Sequence, residues 1–158
     1  MCLALFAIDK RTFVWYDIDI WGREIMKNKI MRGGGKDKGA ILAIRRGFGY
    51  SEIWDVQQAY QISDKPFAQL IGISDKTLFR IKKSNSRLSS LSGDRLYRLQ
   101  KIWALANRVF EAPGNALNWL RRKQPGLDNQ VPLDLLDTEP GYEQVQTLLN
   151  QIEFGVLP

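Results

Sequence analysis

The stretch KPFAQLIGISDKTLFRIKK, residues 65–83, decides how the chain is read. Two short helices joined by a tight turn need a small residue in the first helix where the second crosses closely. They also need a glycine in the turn and apolar residues at fixed offsets that lock the pair. Ala68 is the small residue, Gly72 the turn glycine, and Phe67, Ile71, Ile73, Leu78 and Ile81 occupy the locking offsets. Ser74 stands where its hydroxyl can cap the second helix. The pattern predicts a helix-turn-helix with Asp75, Lys76, Phe79, Arg80, Lys82 and Lys83 on its outer face, the surface such a motif lays into a DNA major groove. The expected DNA-binding residues are Ser74, Lys76, Thr77, Arg80, Lys82 and Lys83. A helix pair that packs and touches nothing fits the same spacing, and Asp75 at the helix start, which repels phosphate, speaks for that plainer outcome.

Charge is segregated around this motif. Residues 1–40 carry 8 basic and 5 acidic side chains, residues 41–124 carry 15 and 6, and residues 125–158 carry 0 and 6. The net charge of +6 therefore hides a basic middle and an acidic end. Within the middle, Lys76, Arg80, Lys82, Lys83, Arg87, Arg95, Arg98 and Lys101 meet only Asp94 as an opposing charge in the sequence. Such a block points to a polyanionic partner. Its alternative is a solvated basic face.

Helical periodicity organises the chain after residue 50. Ile53, Val56, Ala59 and Tyr60 form one stripe, and Leu96, Leu99, Trp103, Ala106 and Phe110 form a second along a long helix from residue 94 to 110. Pro113 and Gly114 open a helix with apolar Ala116, Leu117 and Leu120; Thr138 caps another with Val145, Leu148, Leu149 and Ile152 inward and Gly155 as its stop. The fold expected is mainly α, a helix-turn-helix domain over 41–90 followed by a small helical domain over 91–158. Before it, residues 1–40 are rich in β-branched and aromatic residues around Asp9, Lys10 and Arg11, and end in the glycine-rich RGGGKDKGA, which reads as a flexible joint. A β-hairpin, an oligomerisation element and a flexible arm all fit that segment, and the stripe of Phe13, Trp15 and Trp21 reads as packing rather than a ligand site.

Composition bounds the function. With 158 residues, 44% of them hydrophobic, the chain can bury roughly two-thirds of its unfolded surface without staples. One cysteine, Cys2, forms no internal disulfide, no stretch reaches the ~20 apolar residues of a membrane span, and the N-terminus lacks a secretory pattern. A cytoplasmic protein without membrane partners is expected. Histidine is absent, which removes the commonest general base and metal ligand, and one thiol builds no metal site. Asp134, Asp137, Glu139 and Glu143 are explained by the helix dipole rather than by an acid–base pair. The expectation is a binding protein with no catalytic residues, no cofactor and no metal. Because one helix-turn-helix buries little on DNA and operators repeat, self-association is expected too, with Ile102 and Val109 as spare apolar positions on the long helix.

The order GISDKTLFRI, RLYRLQKIWALANRVF, ALNWL and PLDLLDTEPGYEQVQTLLNQIEFG resembles the Xre/MbcA/ParS family of bacterial antitoxins, over residues 45–158. The specific matches are Ala116, Trp119 and Leu120, and the Pro-Leu-Asp-Leu-Leu run that leads to Thr138, Glu139 and Gly141. The resemblance implies operator binding by the helix-turn-helix and toxin binding by the C-terminal half, the partner being a cognate RES-domain toxin that consumes NAD or transfers ADP-ribose from it. Within that half, apolar side chains with acidic neighbours point to toxin-binding residues Asp134, Leu135, Leu136, Glu139, Glu153, Val156, Leu157 and Pro158, with Val156 to Pro158 and Glu153 capping a cationic NAD pocket; a short tail folded back on the last helix is the alternative. A stand-alone transcriptional repressor whose C-terminal half only dimerises, and a helical adaptor with a vestigial DNA-binding half, are the alternatives.

Overall fold

The computed structural model of the chain describes residues 7–9, 12–13 and 37–156. Cys2, Trp15, Trp21, most of the glycine-rich joint, Leu157 and Pro158 lie outside the described residues. Strands β1 (Ala7–Asp9) and β2 (Thr12–Phe13) pair antiparallel, Ala7 opposite Phe13 and Asp9 opposite Thr12. The rest is helical: α1 (Asp37–Arg46), α2 (Tyr50–Tyr60), α3 (Asp64–Leu70), α4 (Asp75–Ser84), α5 (Ser90–Phe110), α6 (Pro113–Arg121), a 3₁₀ turn (Pro125–Leu127), α7 (Pro132–Leu135) and α8 (Glu139–Glu153). Helix α1 takes in the Asp37 to Ala40 part of the segment read as a flexible joint.

Helix α5 organises the molecule. Ser89 caps it, its hydroxyl accepting from the Ser92 amide at 3.3 Å, and Glu111 in the left-handed region (φ 57°) ends it. At 21 residues it spans about 30 Å, long enough to touch both halves of the chain. Helices α1 and α2 pack against it on one side of the sequence, α6 and α8 on the other. Tyr60 of α2 donates its hydroxyl to the Leu99 carbonyl at 2.9 Å, and its ring lies 5.4 Å from that of Trp103. Helix α8 runs in the same direction as α5. Arg98 pairs with Glu139 at its start, and Arg108 Nε and Nη2 donate to Glu153 at its end at 2.6 and 3.0 Å.

One contiguous core results, from Phe48 to Leu149, and every apolar position assigned to an inward stripe belongs to it or packs on it. Ile102 is a correction: it is 0% exposed and so not spare for a second copy, while Val109 is partly buried against the core. Neighbours on several faces of α5 bury more of its circumference than one stripe.

Candidate functional site

The helix-turn-helix is built as its spacing demands. Phe67, Ala68, Ile71, Leu78 and Ile81 are buried between α3 and α4, and Ile73 packs on their edge. The Ile73 amide donates to the Ala68 carbonyl at 2.9 Å and closes the turn. Gly72 takes φ +68°, a conformation that disfavours any side chain. Arg95 of α5 lies over it, so a Cβ there would come within 2.8 Å of the guanidinium carbon. Ser74 caps α4: its hydroxyl accepts from the Thr77 amide at 3.2 Å and lies 2.9 Å from the Thr77 hydroxyl. Both residues therefore hold the helix start as well as lying near its outer face.

The basic block does not form one free surface. Lys76, Arg80 and Lys83 are exposed on α4. Lys82, by contrast, turns back to Asp64 at the start of α3, Nζ to Oδ1 at 2.5 Å, and that carboxylate also accepts from Gln57 Nε2 at 2.7 Å. Partial burial pushes the Asp64 carboxyl upward, but the bonds from Gln57 and Lys82 and the Lys82 charge outweigh it and hold it below the usual carboxylate range. Arg87 donates to the Gly47 carbonyl at 2.9 Å, Arg98 pairs with Asp94 and Glu139, and Lys101 sits 5.8 Å over the Tyr97 ring. Lys76, Arg80 and Lys83 stand together on the outer face of α4, with Ser74 and Thr77 beside them. Lys82, which the sequence pattern assigned to the same set, stands in an ion pair with a carboxylate 18 residues earlier.

The acidic end is also sorted. Asp134 and Glu139 are exposed and Leu135 is half-buried, but Leu136 is 3% exposed and belongs to the core, so its side chain is not offered outward. Thr138 caps α8, its hydroxyl accepting from the Gly141 amide at 3.2 Å. A Cβ at Gly141 would come within 2.9 Å of the Leu135 carbonyl carbon, so α7 and α8 meet through bare backbone. Tyr142 beneath this corner has its phenol pushed up to about 12, chiefly by burial and then by Glu139. Glu153 is held below the usual range by the Arg108 hydrogen bonds. Beyond it Phe154 is 77% and Val156 59% exposed, an apolar end outside the core.

Arg121, a residue that periodicity did not single out, joins the halves. Its Nη2 donates to the Tyr60 and Gln61 carbonyls at 2.7 and 2.6 Å, where α2 ends in the left-handed Gln61. The only hint in sequence is the residue type, since basic side chains suit helix C-termini.

The fold and these surfaces define a helix-turn-helix protein whose second helical unit shares one long helix with the first. Residues 39–101 match the antitoxin Xre-like helix-turn-helix domain, and residues 105–155 match the antitoxin Xre/MbcA/ParS C-terminal toxin-binding domain. The chain belongs to the Xre/MbcA/ParS antitoxin family. It is 26% identical to the Antitoxin Xre of Yersinia enterocolitica over 122 residues, 75% of this chain and 82% of that protein. It is 28% identical to the Prs ADP-ribosylating antitoxin of a Sphingobium species over 124 residues, 73% of this chain and 78% of that one. The Antitoxin Xre of Pseudomonas putida is 37% identical over 62 residues, 39% of each. A chain of the crystallised M. tuberculosis MbcT–MbcA toxin-antitoxin complex has the same fold, with a TM-score of 0.52 at 18% identity over 68% of this chain and 96% of that chain. Among the described residues no helix is long and apolar enough to cross a membrane.

Proposed function

We propose that the chain is the antitoxin of a type II toxin–antitoxin pair: its C-terminal half binds and neutralises a RES-type toxin that consumes NAD or transfers ADP-ribose from it, and α3 and α4 bind operator DNA. The observation that supports this best is the division of one chain into a basic helix-turn-helix and an acidic, partly apolar end. Beyond residue 124 the chain holds six carboxylates and no basic side chain. A pocket that holds a dinucleotide pyrophosphate is cationic, and acidic groups around an apolar centre complement it. Asp134, Leu135, Glu139 and the Phe154 to Val156 end supply those groups, and Leu157 and Pro158 continue them in the sequence. Glu139 and Glu153 contribute by exchanging Arg98 and Arg108 for a toxin cation. On the other face Lys76, Arg80 and Lys83 meet phosphates. Both partners belong to the cytoplasm, and self-association on a repeated operator completes the reading.

A tagged full-length chain purified from its host and analysed by mass spectrometry tests this. A RES-domain protein recovered at fixed stoichiometry supports it. Recovery of the chain alone, with sequence-selective DNA binding, favours the stand-alone repressor, a reading that the single core shared by both halves also accommodates.

A further inference from the structure

Phe79 projects from α4 with 67% of its surface exposed, on the outer face of the helix-turn-helix. At about 100° per residue it lies between Asp75 one turn before and Lys83 one turn after, with Lys76 and Arg80 on its flank. The buried side of the same helix is held by Leu78 and Ile81, so Phe79 has no core to enter. A large apolar ring at the centre of a cationic face offers a contact that gains free energy when a partner buries it. That partner must carry negative charge around an apolar spot narrow enough for one helix. In duplex DNA the major groove presents phosphates at its walls and the thymine 5-methyl group, the apolar spot of a base edge, on its floor.

We infer that Phe79 reads thymine by packing its ring on the 5-methyl group in the major groove, while Lys76, Arg80 and Lys83 hold the adjoining phosphates. This rests on the DNA-binding reading of α4. The ion pair of Lys82 with Asp64 fits it, since that lysine is drawn toward α3 while Phe79 stands on the outer face with Lys76, Arg80 and Lys83.

The test uses the full chain and a duplex enriched by it from a random-sequence pool, resynthesised with deoxyuridine for thymidine so that only the methyl groups are lost. Kd is measured at one fixed salt concentration. The wild-type chain should bind the uridine duplex at least about fourfold more weakly for each methyl contacted, the equivalent of one buried methyl group at ~0.8 kcal/mol. Phe79→Ala should bind both duplexes equally, with an unchanged thermal midpoint because the ring is outside the core. Phe79→Leu should keep part of the difference, and restoring thymidines singly should locate the contact. Equal binding of both duplexes by the wild type, or an undiminished methyl effect in Phe79→Ala, overturns the assignment of Phe79 alone. A pool from which nothing is enriched overturns the DNA reading of α4 and this inference with it. Loss of self-association or of toxin binding in Phe79→Ala, with the methyl effect retained, overturns it in favour of a protein partner.

Discussion

Lys82 Nζ lies 2.5 Å from Asp64 Oδ1, so one lysine of α4 ties that helix to the start of α3. The two kinds of cation on α4 should separate in one experiment. Replacing Arg80 and Lys83 together with alanine is expected to lower the log–log salt slope of DNA affinity by about 2, at ~0.9 per phosphate contact. Lys82→Ala should leave the slope unchanged and cost about 0.2–1 kcal/mol of stability, the range for an exposed pair. Gel-shift titrations at three salt concentrations and urea denaturation give both numbers.

The same pair sets a pH dependence. Asp64 titrates lower in the folded chain than unfolded, so its stabilisation is complete above the ordinary aspartate value of ~3.9 and is lost as pH falls through the lowered folded value. Glu153, lowered by Arg108, acts in the same sense, whereas Asp55, raised by burial and then by Glu52, acts in the opposite one. Asp64→Asn should flatten the acid limb of a stability–pH curve measured from pH 7 to pH 3. A limb of unchanged steepness would show that the bonds from Gln57 and Lys82 to Asp64 contribute nothing there.

Two glycines should respond differently to alanine. At Gly72 the added Cβ meets the end of the Arg95 side chain, which can swing aside, so the left-handed backbone at about 1–2 kcal/mol is the main cost. At Gly141 it meets the Leu135 backbone, which moves only if α7 moves, and about 3 kcal/mol is expected. Urea denaturation of both variants checks the order; Gly141→Ala near wild-type stability would mean that the α7–α8 corner is loose.

The helix-turn-helix was legible because all of its requirements fall within residues 65–83, where spacing alone decides which side chains meet. The caps Ser74 and Thr138 were legible for the same reason. What sequence could not show is pairing across long separations. Lys82 looks free until α3 brings Asp64 to it, and Arg98 and Arg108 look like part of a basic face until α8 lays Glu139 and Glu153 beside them, 41 and 45 residues away. Leu136 was assigned to an interface because it is apolar among acidic neighbours, and Ile102 because an apolar residue off the main stripe looks surplus; the core of this chain closes over both. The start of α1 was hidden by Gly39 beside a glycine run, since glycine weakens a helical pattern without forbidding it.

Removal of residues from Phe154 onward should leave the thermal midpoint and DNA affinity near wild type, because Phe154 and Val156 lie outside the core. Toxin neutralisation in cells should fail. A truncated chain that still neutralises would move the inhibitory contact to the surface around Asp134, Leu135 and Glu139.

The most direct measurement is NAD consumption by the RES-domain protein that co-purifies with the chain, followed as purified antitoxin is added. Full-length chain, and the Arg80→Ala, Lys83→Ala double variant that has lost its phosphate contacts, should both stop NAD loss at a fixed stoichiometric ratio. NAD consumption that continues undiminished in the presence of excess full-length chain would contradict the account.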